Sequence, residues 1–307
     1  MTAQPIATLW HGDGIDAALA LSRDLLARVR PPCVQLHTWT PEAVASSVRR
    51  LLPGVDLIVG CGVDGLARAV AKGDQSVAGG VRAFVALALR AVSSGARTIV
   101  WNAEAGWKRP PSSDEAKRLD DLIRQGLAAV KAACPQLEQW HTAYDHPSLH
   151  SAYPWRAWLG AGSPIVRSLP QVYAAPGDGL RAHCGALQAR EARALASWGA
   201  AVRAGWIRPD APDGSPDDAV DVDWSPYYQL HSVPARDTIA SAVRHPVVAL
   251  WALPSRADAE GRVALAALCA LRREGYWGAG AIERYQRDHG LEPDGVVGPK
   301  TLAALAI

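Results

Sequence analysis

The chain lacks the signatures by which most enzyme classes announce themselves. No GxGxxG follows its first apolar run, where His11-Gly12-Asp13-Gly14 stands instead, and it has no GxSxG elbow and no HExxH. These absences argue against a dinucleotide site, a serine-hydrolase nucleophile elbow and a helical zinc-protease motif. No stretch is apolar for long enough to span a bilayer, so membrane insertion is not expected. The first residues, MTAQPIATLWHGDG, carry no basic segment ahead of an apolar one, so synthesis in the cytoplasm without a secretory signal is expected. The net charge is only +2, which gives no case for a nucleic-acid partner.

Cysteine is scarce and unpaired in pattern. Cys33, Cys61, Cys134, Cys184 and Cys269 are odd in number and form no CxxC. They read as small buried hydrophobes in a reducing compartment. Phenylalanine occurs once, against twelve tryptophans. Indole offers a broad face with an N–H at its edge, which suits sugar rings, although a coding bias toward Trp codons would produce the same excess.

What the chain does have is alternation. Short apolar runs at 6–10, 33–39, 56–61, 98–102, 138–144, 166–173, 219–224 and 247–253 are separated by helix-like segments at 15–29, 41–52, 81–93, 113–133, 186–204 and 236–243. Thr40 and Pro41 read as cap and first turn of the second helix. The segment 145–164, rich in His, Pro and Trp, reads as a loop. Eight strands in about 250 residues predict an α/β fold, a (β/α)8 TIM-type barrel over residues 1–256, with an open doubly wound sheet as the alternative. A small all-α three-helix domain is predicted over 257–307. In such a barrel the chemistry sits on loops beyond the C-terminal ends of the strands.

That rule selects the candidates. Asn102 and Glu104 follow the fourth strand. A carboxyl there beside Trp101 and Trp107 would be desolvated into a proton donor. Asp145, after the fifth strand, is the first choice for a partner carboxyl, with a turn-capping role as its rival. Asp64 in GCGVDG is the second choice, although Gly62-Val63-Asp64-Gly65 reads simply as a turn. Asp221 and Asp223, on one face of the seventh strand, are the third. Gln171 and Tyr173 share a face of the sixth strand and suit sugar hydroxyls, and Trp251 suits the floor under a sugar ring. Trp10, Trp39 and Trp224 are either groove or core. His11, His37, His141, His146, His150 and His231 lie near strand ends, but at irregular spacings. No metal and no cofactor are expected.

The tail carries the most specific pattern. Ile282, Tyr285, Gln286 and His289 form one helical stripe, Gly290 can end that helix, Asp294-Gly295 signals a turn, and Pro299 suits the first turn of another helix. This run, from Gly290-Leu291 through Asp294-Gly295 to Gly298-Pro299-Lys300-Thr301, resembles the peptidoglycan-binding domain of bacterial and phage cell-wall hydrolases. The likeness covers roughly 258–307. The Gly275–Gly280 segment is shorter than the corresponding loop of that family. The strand-four segment IVWNAEAGW resembles the signature of many barrel glycosidases, in which a Glu protonates the leaving oxygen.

Together these resemblances imply a monomeric peptidoglycan glycosidase of muramidase or glucosaminidase type, a phage endolysin freed through a holin or a secretion-system effector. It would act on glycan strands at the cell wall, with Glu104 and Asp145 as its two carboxyls. A non-catalytic wall-binding protein on a degenerate barrel, and a metal-dependent amidase or peptidase, remain as alternatives.

Overall fold

The computed structural model describes residues 4–10, 13–109, 113–172, 186–208, 227–229, 234–245, 247–254 and 259–305. Its strands are β1 Gln4–Trp10, β2 Cys33–His37, β3 Asp56–Gly62, β4 Thr98–Asn102, β5 Glu138–Thr142, β6 Ile165–Ser168, β7 Gln171–Val172, β8 Tyr227–Gln229 and β9 Val247–Pro254. All pairings are parallel, in the order β6-β5-β4-β3-β2-β1-β9-β8-β7. The two ends of this sheet are consecutive in the chain, parted only by Leu169-Pro170. Leu169 N donates to His141 O at 2.7 Å, Gln171 N donates to Ala143 O at 2.8 Å, and Tyr144 bridges Gln171. The sheet therefore curls round until its ends meet, with β6 and β7 as two halves of one broken strand. Pro170, which has no N–H to give to a ladder, stands at the break. This is the (β/α)8-type barrel that the alternation predicts. The expected seventh strand, 219–224, lies outside the described residues; β8 stands in that place in the sheet.

Helices α1 Ile15–Val29, α2 Glu42–Leu51, α3 Asp64–Lys72, α4 Val77–Ser93, α5 Asp114–Ala133, α6 Trp155–Leu159, α7 Ala186–Arg203, α8 Ala235–Ala242 and α9 Ala259–Arg273 cover the outside. Two local expectations need correction. Gly62–Gly65 does not merely turn: Asp64 opens α3, because Val63, Leu66, Ala67 and Val70 recur at helical spacing and are all buried. Thr40 does not cap α2; Pro41 occupies the cap position with no side-chain bond. The loop 145–164 is irregular apart from a short 3₁₀ turn, Pro147–Leu149, and α6.

Two apolar layers result. One fills the barrel with Ile6, Cys33, Ile58, Val100, Trp140, Leu169, Val247, Ala249 and Trp251. The other lies between strands and helices and includes Leu36, Val59, Phe84, Trp101, Trp107, Leu122, Trp158 and Leu268. Cys33, Cys61, Cys134 and Cys269 are buried free thiols, and Cys184 lies outside the described residues.

The last two helices are α10 Ala281–Asp288 and α11 Pro299–Ala304. Gly290 adopts φ 68°, the left-handed conformation that ends a helix, immediately after α10 and His289. Gln286 is 2% exposed and ties the turn together. Its amide nitrogen donates to Asp294 Oδ1 at 2.8 Å, Val296 O at 3.0 Å and Thr301 Oγ1 at 3.2 Å, and its oxygen accepts from Gly295 N at 2.9 Å. Helix α9, grouped with the tail by its sequence, packs against β1, α1 and α8, in the place a barrel's last helix takes.

Candidate active site at the barrel mouth

Strand alternation turns Val100 and Asn102 of β4 inward and Trp101 outward. Glu104 stands two residues beyond Asn102 at the C-terminal rim. Across the rim, Gln171 of β7 donates its amide to Glu104 Oε1 at 2.8 Å and to Asn102 Oδ1 at 3.0 Å. From the neighbouring strand end, Asp64 Oδ1 accepts the backbone N–H of Glu104 at 2.7 Å. Four sequence candidates, Asp64, Asn102, Glu104 and Gln171, thus form one hydrogen-bonded constellation at the C-terminal ends of β3, β4 and β7. Gly106 makes the close approach possible, since a Cβ there would lie 2.5 Å from Asp64 O.

Two tyrosines complete the group. Tyr144 follows β5, stacks on His150 at 3.9 Å between centroids, and has Lys108 Nζ 4.0 Å over its ring. Lys108 Nζ also lies 2.9 Å from His150 Nδ1. Burial raises the Tyr144 phenol above its ordinary pKa, and the charges of Glu104 and Asp64 raise it further. Tyr153 is shifted the same way by burial, then by Asp64, Tyr144 and Glu104. Its hydroxyl lies 2.7 Å from His141 Nε2. Period-two spacing from Trp140 through Thr142 points to Tyr144. Nothing in the sequence points to Tyr153, which reaches the rim from an irregular loop.

Other candidates sit elsewhere. Asp145 is 6% exposed, its two oxygens 2.9 Å from Arg190 Nε and 2.9 Å from His146 Nδ1, and its carbonyl accepts from Trp198 Nε1. Trp101 and Trp107, expected to shelter Glu104, are fully buried against Phe84 in the layer between sheet and helices. Trp251 lies in the barrel interior, 5.3 Å from Trp10 and 4.9 Å from His37 between ring centroids. Tyr173, Asp221, Asp223, Trp224, His11 and His231 lie outside the described residues. The described histidines are dispersed among separate partners: His141 with Ser168 and Tyr153, His146 with Asp145, His150 with Lys108. Among the described residues no helix is long and apolar enough to cross a membrane.

Residues 275–305 match the family model described as "Putative peptidoglycan binding domain", so the chain carries a C-terminal domain of that type. The barrel is similar to a GH18 chitinase from Pseudoalteromonas aurantia, with 11% identity, TM-score 0.54, and coverage of 86% of this chain and 98% of that one. It is also similar to active domain 2 of a thermostable chitinase from Pyrococcus furiosus, complexed with chito-oligosaccharides, with 11% identity, TM-score 0.57, and coverage of 90% and 97%. A D-psicose 3-epimerase is similar too, with 12% identity, TM-score 0.52, and coverage of 88% and 98%. These likenesses show the fold, which hosts more than one chemistry. No curated protein sequence matches the chain significantly.

Proposed function

We propose that the protein is a glycoside hydrolase of peptidoglycan glycan strands, of muramidase or glucosaminidase type, and that it serves as a phage endolysin. The observation that carries the reading is Glu104 at the mouth of β4, beside Asp64, on a chain whose tail matches a peptidoglycan-binding family. Chito-oligosaccharides, named with one of the similar barrels, are chains of N-acetylated hexosamine, the sugar class of a peptidoglycan strand.

Glu104, protonated, gives its proton to the glycosidic oxygen as the C1–O bond breaks. A carboxylate then stabilises the cationic sugar or takes a proton from the water that adds to C1. Asp64 is favoured for that second role, because Asp145 has both oxygens engaged by Arg190 and His146. Gln171 orients the donor by giving one hydrogen bond from its amide nitrogen to Glu104 Oε1 and another to Asn102 Oδ1, and Asn102 lies within reach of the same sugar. Tyr173, Asp223 and Trp251 remain candidate sugar contacts. The division between barrel and tail falls near Gly275, after α9, because α9 packs with the barrel helices.

Clearing of outer-membrane-permeabilised cells, with mass spectrometry of digested sacculi, tests the reading. Glu104→Gln is expected to lower the rate by about 10²–10⁴-fold, the usual contribution of a positioned acid, and new reducing ends are expected from the wild type. Full activity in the variant would remove Glu104 from the mechanism. Sacculus binding without any bond cleavage would mark a non-catalytic wall-binding protein, and cleavage that releases amines would mark an amidase.

A further inference from the structure

Beside the carboxylate rim lies a separate cleft of about 550 Å³, walled by α3 and α4 and roofed by Trp39 from the loop after β2. Trp39 is 49% exposed, yet its position is fixed from both sides. Its Nε1 donates to Gly62 O at 3.1 Å, and its own carbonyl accepts from Arg90 Nη1 at 2.8 Å. A large indole held half in water by its polar atoms, rather than turned into the core, leaves ring surface for a ligand. Beneath it, Ala69, Ala83, Ala86 and Leu87 form an apolar wall, with Gln75 and Arg90 at the rim.

The cleft adjoins the catalytic rim. Gly62, which receives the Trp39 indole N–H, stands two residues before Asp64, and Asp64 in turn holds the backbone of Glu104. Val63 and Gly65, on either side of Asp64, belong to the cleft wall. The bond from Trp39 to Gly62 therefore places an exposed indole on the β2 side of Asp64.

The geometry points to a remote sugar-binding position: the Trp39 cleft takes an N-acetylhexosamine ring of the same glycan strand, away from the bond that is cut. The ring's apolar face lies on the indole, the acetyl methyl enters the alanine-lined wall, and Gln75 and Arg90 meet polar groups at the edge. This assignment rests on the glycosidase reading for its ligand, but not on Glu104 for its chemistry.

Isothermal titration of full-length Glu104→Gln with the N-acetylglucosamine hexamer tests it, alone and combined with Trp39→Ala or with Ala86→Phe. Ala86 is exposed, so its phenyl fills the cleft from outside without disturbing the core. Both combined variants are expected to bind about tenfold more weakly, the scale of one lost aromatic stacking contact. Unchanged affinity in the folded Ala86→Phe combination would overturn the site, as would failure of the hexamer to bind the parent protein, or an apolar peptide occupying the cleft without competition from the sugar. Should Glu104→Gln prove fully active while both cleft variants weaken binding, the cleft assignment survives and only the catalytic assignment falls.

Discussion

At the scale of single residues, the site depends on one absent side chain. A methyl group at Gly106 would meet Asp64 O at 2.5 Å, Cα at 2.8 Å and the carbonyl carbon at 3.0 Å. All three are backbone atoms at the start of α3, so they cannot swing aside as a flexible side chain would. Gly106→Ala must separate the 104–107 turn from Asp64, and misplacement on the order of 1 Å can cost about 10²-fold in rate. The expected outcome is a kcat lower by about 10–100-fold, with the melting temperature lowered only modestly; an unchanged kcat would show that the Asp64–Glu104 contact is not part of the catalytic geometry. His141 makes a different prediction. It is fully buried between Ser168 Oγ and Tyr153 Oη, and burial pushes its pKa down to about 3. Above pH of about 6.5 both folded and unfolded chains hold this ring neutral and its stability contribution is complete. As pH falls below that value, the unfolded chain takes up a proton that the folded chain refuses until about pH 3, so stability declines through that window. The limiting slope is about 1.4 kcal/mol per pH unit for one such group. His141→Gln should flatten the fall in urea-unfolding free energy between about pH 6.5 and 5, above most carboxylate titration. An equally steep fall in the variant would assign the acid sensitivity to another group.

At the scale of elements, the tail shows how a motif becomes a fold. Its turn contains Asp294-Gly295, but the turn is held by Gln286 on α10, through bonds to Asp294, Gly295, Val296 and Thr301. Replacing this amide by Leu removes all four bonds that hold the turn and takes a partner from the buried Thr301 hydroxyl. Gln286→Leu should therefore unfold the tail selectively and abolish sacculus binding, while hydrolysis of short soluble glycans persists; sacculus binding at wild-type strength would show that the motif binds through α11 and its turn without this support. The α10 stripe was legible because Ile282, Tyr285 and Gln286 face the core at helical spacing. The barrel was legible because its parallel strands are apolar runs separated by amphipathic helices. The start of α4 was not, since Val77-Ala78-Gly79-Gly80 is a poor helix sequence. Ser76 nevertheless caps it by accepting from Gly79 N, and Gly80 lets α4 approach Leu122 of α5 closely. At the site, period and strand order placed Glu104, Asn102 and Gln171 at the rim. They did not reveal that Asp64 lies beside Glu104, nor that Asp145 is held by Arg190 of α7 and His146 of its own loop. The helix after Asp64 follows from the local spacing of Val63, Leu66, Ala67 and Val70, but the meeting of Asp64 with Glu104 and the capture of Asp145 by Arg190 depend on long-range partners that no local pattern encodes.

At the scale of the whole molecule, the question is how the tail presents the barrel to a polymer. A flexible tether would raise the local substrate concentration but leave the mouth free to face any direction. The tail is instead joined directly to the barrel. Trp277 Nε1 donates to His245 O at 2.8 Å, Gly278 N donates to Val243 O at 2.8 Å, and both acceptors lie just after α8. His245 is itself anchored, with Nε2 2.8 Å from a carboxyl oxygen of Glu191 on α7, which also accepts from Arg244 and Tyr228. The joint thus reaches a buried carboxylate beneath the barrel's outer layer, and tail and barrel should melt together. Calorimetry of the full chain is expected to show one transition. Trp277→Ala removes the indole and its bond, and should separate a tail transition at lower temperature from the barrel transition. The variant should also lose activity on intact sacculi by more than it loses on soluble strands, because a loosened tail no longer sets the direction of the mouth. Two resolved transitions in the wild type, or equal losses on the two substrates, would mean that the tail acts as a tether alone and that its docking on His245 has no part in presenting the wall to Glu104.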